Sequence, residues 1–370
     1  MSQYLSQLAG KRIVVTGGVG SVGRAIVEKL AASPVGHVRV IDNNESGLFD
    51  MEMDFAGRKG KAGLDFFHAD ITDEREMRRT FDGMDLCFHC AALKHVPSCE
   101  RSPFSAVKVN IEGVEVVGRV AQMQGLEKVI FTSSDKAVNP TNVMGTSKLM
   151  GERLFTSMNF LTHSDSPTLF SSTRFGNVLG SRGSVVPLFA QQIAAGGPVR
   201  VTDRRMTRFV MTMQQSADLV IGSMVLARGG EVFITKMPVL RIVDLARVMI
   251  QHLAPAYGHD PRSIGIEITG SRPGEKLWEE LSTDEEANRL LESDDFLIVM
   301  PAGHTAEQRR QKYAFDEIGA RPSGIVYHSD REAAIGDDQI WALLMRDGVL
   351  PESVVARLVT AGTVPQLETL

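Results

Sequence analysis

The sequence predicts a doubly wound α/β fold, a mostly parallel sheet with helices on both faces, followed by a smaller second domain. Three observations predict it. Short, nearly all-apolar runs recur through the first half, each parted from the next by helical spacing, as in strands buried on both faces. A glycine-rich turn joins the first run to the first helix. Beyond about residue 180 the alternation fades, and glycine and proline punctuate more often, as at Gly196-Gly197-Pro198.

Residues 12–16 (RIVVT) form the first strand, and 22–32 carry helical spacing. Residues 37–42, 63–68, 86–90 and 128–132 are the second to fifth strands. Stretches 216–227 and 240–253 read as helices of the less regular half, expected to form a lid over the C-terminal ends of the strands. From about Pro301 the tail is polar and weakly patterned, with two strand-like pieces. The expected division is 1–180 and 181–370, with chain crossings between the two.

The chain has 370 residues, 43% hydrophobic and 23% charged, enough for two domains of an ordinary globular protein. A net charge of −5 leaves no basic footprint for nucleic acid. No apolar run approaches the ~20 residues that span a bilayer, and the opening residues lack the order of a signal peptide. A cytoplasmic protein without membrane contact is expected. Three cysteines make no disulfide framework. Cys87 and Cys90 have zinc-like spacing, with His89, His95 and Cys99 nearby, but they end an apolar strand and no second ligand pair follows, so no metal is expected.

The turn is Thr16-Gly17-Gly18-Val19-Gly20-Ser21-Val22-Gly23. Gly17, Gly20 and Gly23 let the backbone turn sharply, approach a pyrophosphate and pack helix on strand. Ser21 and Val22 open the helix whose N–H groups would face the phosphates. With strands on either side, this is the Rossmann arrangement, and a dinucleotide is the expected cofactor. Asp42 ends the second strand about 20 residues further on, where a carboxylate accepts from ribose hydroxyls and repels a 2′-phosphate. Residues 43–46 (NNES) bring no cation for that phosphate, so NAD is favoured over NADP. Asp42 as a cap of the next helix is the other reading. Asp70 and Ile71, after the third strand, are placed either to meet the adenine or simply to turn the chain.

Further on stands Ser134-Asp135-Lys136, then Met144-Gly145-Thr146-Ser147-Lys148. Lys148 occupies the lysine place of a Tyr-x-x-x-Lys dyad whose tyrosine is here a methionine. A thioether has no proton to exchange. Asp135 and Lys136 are the replacement titratable groups.

Several stretches together resemble the extended short-chain dehydrogenase/reductases that dehydrate nucleotide sugars, more narrowly the UDP-N-acetylglucosamine 4,6-dehydratases. They are 14–23, 89–97 (HCAALKHVP), 133–148, 174–178 (RFGNV), 206–209 (MTRF) and 272–277 (RPGEKL), spread over about three-quarters of the chain. Met144 matches a methionine-bearing subgroup, most of whose members carry a membrane-embedded N-terminal half.

The resemblance implies C4 oxidation by NAD, loss of water across C5 and C6, and hydride return to C6, with the cofactor recycled. Asp135 is then the acid at C6 and Lys136 the base at C5, or the reverse. Ser134 would hydrogen-bond the C4 oxygen, and Lys148 would hold the nicotinamide ribose. The C4 base would be Asp135, Lys148 or a water relayed through Ser134. Ala91, Ala92 and Lys94 would meet the cofactor; Lys94 and His95 would also face the sugar. Asn110 would be the structural asparagine near the site. Arg174 and Asn177 would approach the nucleotide sugar, Arg208 and Arg272 would neutralise its diphosphate, and Glu275 would accept from its ribose. UDP-N-acetylglucosamine is the expected substrate, with the GDP sugar second, and a homo-oligomer is expected. A 4-epimerase and a non-catalytic NAD- or nucleotide-sensing protein are the rival readings.

Overall fold

The computed structural model describes residues 2–57, 60–161, 168–181, 183–271, 273–346 and 348–362. Two compact units share the chain. Met1–Phe175, Gln214–Lys236 and Glu280–Tyr327 make the first, and Gly176–Met213, Met237–Glu279 and His328–Leu370 the second.

The first unit is built on a ten-stranded sheet. Six parallel strands, β1 (Arg12–Thr16), β2 (His37–Asp42), β3 (Gly63–His68), β4 (Leu86–His89), β5 (Lys128–Thr132) and β6 (Leu169–Arg174), lie in the order β3-β2-β1-β4-β5-β6. Val232–Thr235 adds parallel to β6, and Phe296–Val299, Leu290–Glu292 and Arg321–Ser323 extend that edge antiparallel. The fold is doubly wound and Rossmann-like. Ile13, Val14 and Val15 are fully buried, as are Cys87 and Phe88 beside them, because helices cover both faces. That is why these strands read as continuous apolar runs. Strand order reverses between β1 and β4, where Thr16 lies opposite both Ile41 and His89. Crevices at such a reversal are where this architecture binds ligands.

One helix matters most for the site. Val143–Leu161 starts where the Gly145 N–H donates to Asn142 Oδ1 at 2.8 Å. Its buried residues Met144, Lys148, Gly151, Glu152 and Phe155 share one face of the helix, which is turned inward. Two of the five are ionisable, which a core-facing stripe tolerates only with partners.

The second unit holds a three-stranded sheet (Val239–Arg241, Thr207–Met211, Asn177–Val178) and a strand pair (Ile266–Ile268, Val199–Val201). Its core includes Phe189, Leu245 and Met249 from the helices Val185–Ala194 and Ile242–Leu253. The helix expected over 216–227 runs Met213–Leu226. The tail differs from expectation: among its described residues stand one strand, Arg321–Ser323, and three α-helices, Ala306–Lys312, Asp337–Leu344 and Glu352–Thr360. Ile340, Leu343 and Leu344, then Val354 and Leu358, bury in the second core. Each helix spans about two turns, too few for its three- and four-residue spacing to stand out in sequence. Among the described residues, no helix is long and apolar enough to cross a membrane.

Candidate active site

The glycine turn is shaped by contact. Gly17 has φ +67°, and a Cβ there would stand 2.5 Å from the Ala91 nitrogen. A Cβ on Gly23 would stand 2.2 Å from the Gly17 oxygen. Only glycines let the turn close over β1 and run beside the Cys90–Ala91 backbone. Ser21 and Val22 open the helix Ser21–Ala31. Asp42 accepts from the Val19 N–H at 3.1 Å and the Asn44 N–H at 3.0 Å, so its carboxylate is fixed at the turn's edge. The helix that follows is capped by Asn44, which accepts from Gly47, rather than by Asp42. These residues fit a dinucleotide: a side-chain-free cradle, a helix N-terminus and a fixed ribose-facing carboxylate.

Asp70 accepts from the N–H and hydroxyl of Thr72 at 2.9 and 2.8 Å. Burial pushes its carboxyl up, but Thr72, Asn43 and Lys108 outweigh that and hold it below the usual range. Ile71 turns its side chain into the core, 6% exposed, under Gly113. An adenine contact from Ile71 therefore falls to its backbone. Ala91 and Ala92 are half-buried, and Lys94 and His95 are exposed.

At the end of β5 the chain makes a 3-10 turn, Asp135–Ala137, capped by Ser134. The Asp135 side chain is 1% exposed and that of Lys136 27%. Asp135 Oδ1 accepts from the Ser134 hydroxyl at 2.6 Å and from the Lys136 N–H at 2.9 Å. Lys136 Nζ reaches both carboxylate oxygens, at 3.0 and 3.3 Å. A Cβ on Gly145 would fall 2.1 Å from the Lys136 oxygen, so the long helix lies directly on this turn.

Lys148 is 5% exposed, donates to the Thr132 carbonyl at 2.8 Å and lies 4.5 Å from the centre of the Phe131 ring. Burial pushes its ammonium from 10.5 down to about 8, against the opposing pull of Cys90, Glu152 and Cys99. Met144 packs in an apolar cluster with Cys99 and Ala106, 3% exposed. Asn110 lies in a π-helical turn, Lys108–Glu112, a feature that recurs at functional sites. Its amide exchanges hydrogen bonds with both backbone groups of Leu93 and donates to Ser147 Oγ at 2.9 Å. It thereby ties the loop after β4 to the long helix.

Arg174 requires a correction. Its expected approach to a nucleotide sugar is ruled out by its surroundings: all five N–H groups are engaged inside the first unit. Nε and Nη2 donate to Glu152 at 2.9 and 2.7 Å, Nη1 and Nη2 to Glu286 at 2.7 and 2.8 Å, and Nη1 to the Leu281 carbonyl at 3.1 Å. Sequence reasoning missed Glu152, although it follows Lys148 by one helical turn. It weighed His89 only beside the zinc-like spacing of Cys87 and Cys90; the ring is fully buried, shares a 2.7 Å hydrogen bond with the Thr16 hydroxyl and stacks on Phe131. Burial, then the Lys148 charge, push His89 down to about 3, so it is neutral. Among the described residues, no group of three or more His, Cys, Asp or Glu is placed to hold a metal ion.

The second unit carries an open pocket of about 290 Å³, lined by Asn177, Arg208 and Glu275 together with Leu188, Arg200 and Thr202. Arg208 stands in its wall but donates to the carbonyls of Thr207, Lys276 and Leu277 at 2.7, 2.8 and 3.2 Å, fastening the segment that carries Glu275. The more exposed guanidinium of the pocket belongs to Arg200, whose side chain is 62% accessible. Only the alternation of Val199-Arg200-Val201 signalled it. Arg272 lies outside the described residues.

A model of the family described as polysaccharide biosynthesis protein matches residues 13–301. The chain belongs to this family. An uncharacterised membrane protein of Methanocaldococcus jannaschii is 48% identical over 293 residues, 79% of this chain and 86% of that one. An inverting UDP-N-acetylglucosamine 4,6-dehydratase of Campylobacter jejuni is 33% identical over 338 residues, 90% of this chain and 94% of the enzyme. Some family relatives are much longer, and the match covers 47% of a probable polysaccharide biosynthesis protein of Bacillus subtilis. The solved structure of Pen from Bacillus thuringiensis superposes with a TM-score of 0.82 at 37% identity, covering 91% of this chain and 98% of that one.

Proposed function

We propose that this family member is an NAD-dependent 4,6-dehydratase of a nucleotide-activated N-acetylglucosamine, with the UDP sugar as substrate, serving surface polysaccharide or glycoprotein sugar synthesis. The observation that carries the reading is the Ser134-Asp135-Lys136 constellation, with Asp135 buried between its two partly buried neighbours. A 4-epimerase needs hydride transfer at C4 alone; an acid–base pair beside that site suits elimination across C5 and C6.

NAD, when bound, would supply a hydride acceptor for C4 and a hydride donor for C6. The chain's own residues move the protons. Lys148, whose ammonium burial brings down to about 8, takes the C4 hydroxyl proton in its neutral form while Ser134 hydrogen-bonds that oxygen; Met144 takes no part. A proton passing from Lys136 to Asp135 across 3.0 Å yields an amine and a carboxylic acid together. The pair's net charge stays at zero, so burial opposes the shift little. The amine then removes the C5 proton and the acid protonates the departing C6 hydroxyl; a proton returns to C5 as C6 takes the hydride, and Lys148 releases the C4 proton it took to solvent. In the second unit, Asn177, Arg200, Arg208 and Glu275 would hold the nucleotide, with Arg272 assisting at the diphosphate. The C. jejuni enzyme's name supports the choice of the UDP sugar.

Incubation with UDP- and GDP-N-acetylglucosamine, followed by mass spectrometry, tests this. Loss of about 18 mass units from the UDP sugar is expected. A product of unchanged mass would mean epimerisation, and binding without turnover a sensing protein.

A further inference from the structure

We propose that Glu152 is a positioning residue for this reaction: held by Arg174 and Glu286, it forms a fixed charged rung behind Lys148 that sets the lysine's proton affinity. The inference rests on the reading of Lys148 as the C4 base.

Lys148 is buried with few partners, one carbonyl at 2.8 Å and one ring face at 4.5 Å. An ammonium has three donors, and burying it so thinly is costly unless negative charge stands near. The titratable groups that face it are His89 and Cys90 at the end of β4, Cys99 of the helix Val96–Arg101, and Glu152 of its own helix. The Asp135–Lys136 pair, on the turn packed against that helix, is neutral overall. His89 is neutral, and burial pushes the thiols of Cys90 and Cys99 up, so the pull that each exerts on the ammonium as a thiolate is withheld while they stay protonated. Glu152 is the carboxylate of this set, four residues on along the same helix face.

Its geometry suits tuning better than pairing. Arg174 grips both carboxylate oxygens, at 2.9 and 2.7 Å, so Glu152 cannot swing to Lys148 and lock the proton there. Glu286 in turn grips Arg174 at 2.7 and 2.8 Å, which keeps the guanidinium from cancelling the Glu152 charge in full. What reaches Lys148 is a fixed negative field in a dry interior, where charge acts over longer distances than in water. It opposes the effect of burial, leaving the lysine able both to take a proton and to release it.

Selective 13C labelling of lysine, with Lys148 assigned by the loss of its signal in Lys148→Arg, reads this proton directly by NMR titration. In Glu152→Gln the midpoint should fall by about one pH unit, a tenfold loss of proton affinity. Glu286→Gln removes as many carboxylate bonds from Arg174 but stands beyond it, and should shift the midpoint less than a third as far. Glu152→Asp keeps the charge and should restore most of the shift. An unmoved midpoint in Glu152→Gln, or an equal shift in Glu286→Gln, overturns the proposal, since a purely structural role predicts no difference between the two. Should Glu152→Gln not fold, Glu152→Gln/Arg174→Gln removes both charges together; its midpoint should fall by a smaller amount, and an unmoved one is equally decisive. The titration needs no turnover. A shifted midpoint in a protein that dehydrates nothing would overturn the proposed function alone; dehydration with an unmoved midpoint would overturn this inference alone.

Discussion

Replacing Arg174 with methionine separates two roles that sequence alone confuses. The side chains of Arg174, Glu152 and Glu286 are 2%, 3% and 4% exposed, so the substitution strands two carboxylates away from water. Removing one partner of a buried ion pair costs about 3–5 kcal/mol, chiefly because the remaining charge is unsolvated. Here two charges are left, although Arg289, 3.8 Å from Glu286, covers one of them in part. The upper half of that range is therefore expected. With an m-value of about 3 kcal/mol per M, the urea midpoint should fall by about 1.3–1.7 M. Urea unfolding followed by far-ultraviolet circular dichroism measures this, with nucleotide-sugar affinity measured in parallel on folded protein. An unchanged midpoint combined with lost sugar-nucleotide affinity would return Arg174 to the substrate and refute the ion-pair reading.

Asp135→Asn should abolish loss of water while leaving NAD binding intact, read by product mass and cofactor titration. Gly145→Ala places a methyl 2.1 Å from the Lys136 oxygen, which is backbone and cannot step aside; lost activity with a lower melting temperature is expected. Met144→Tyr adds a ring and hydroxyl to the small cluster of Cys99 and Ala106, and should cost about 1–3 kcal/mol by overpacking; unchanged thermal stability would show the position to be permissive. For Lys148 the folded value of about 8 lies below the ordinary 10.5, so the unfolded chain binds more protons between the two. Its contribution to stability is fully present above 10.5 and is lost as pH falls through about 8. Lys148→Met should therefore be inactive yet more stable than the parent at pH 7, by about 3 kcal/mol at most, in denaturant titrations at pH 7 and 10.

Much of the first unit was legible because local rules and burial agree there. β1, β2, β3 and β5 have the bounds their apolar runs imply, and β4 stops one residue earlier, at His89. The glycine turn was legible because Gly17 and Gly23 leave no room for a Cβ. The adjacency of Ser134, Asp135 and Lys136 is covalent, so their grouping needed no fold to be seen. The tail was misread because its helices are short. Arg174 was misread because a lone arginine after a strand looks the same whether it meets a phosphate or two carboxylates 22 and 112 positions away in sequence.

The sequence by itself determined the doubly wound sheet, the glycine turn after β1 and the adjacency of Ser134, Asp135 and Lys136 after β5. These follow from periodicity, from backbone freedom and from neighbours along the chain. Only the tertiary structure decided that Asp135 is buried against Lys136, that Met144 is sealed among apolar side chains, and that Arg174 faces inward with Glu152 behind Lys148. Proton affinity and ion pairing depend on dielectric and on distance, and both are properties of the packed interior rather than of the order of residues.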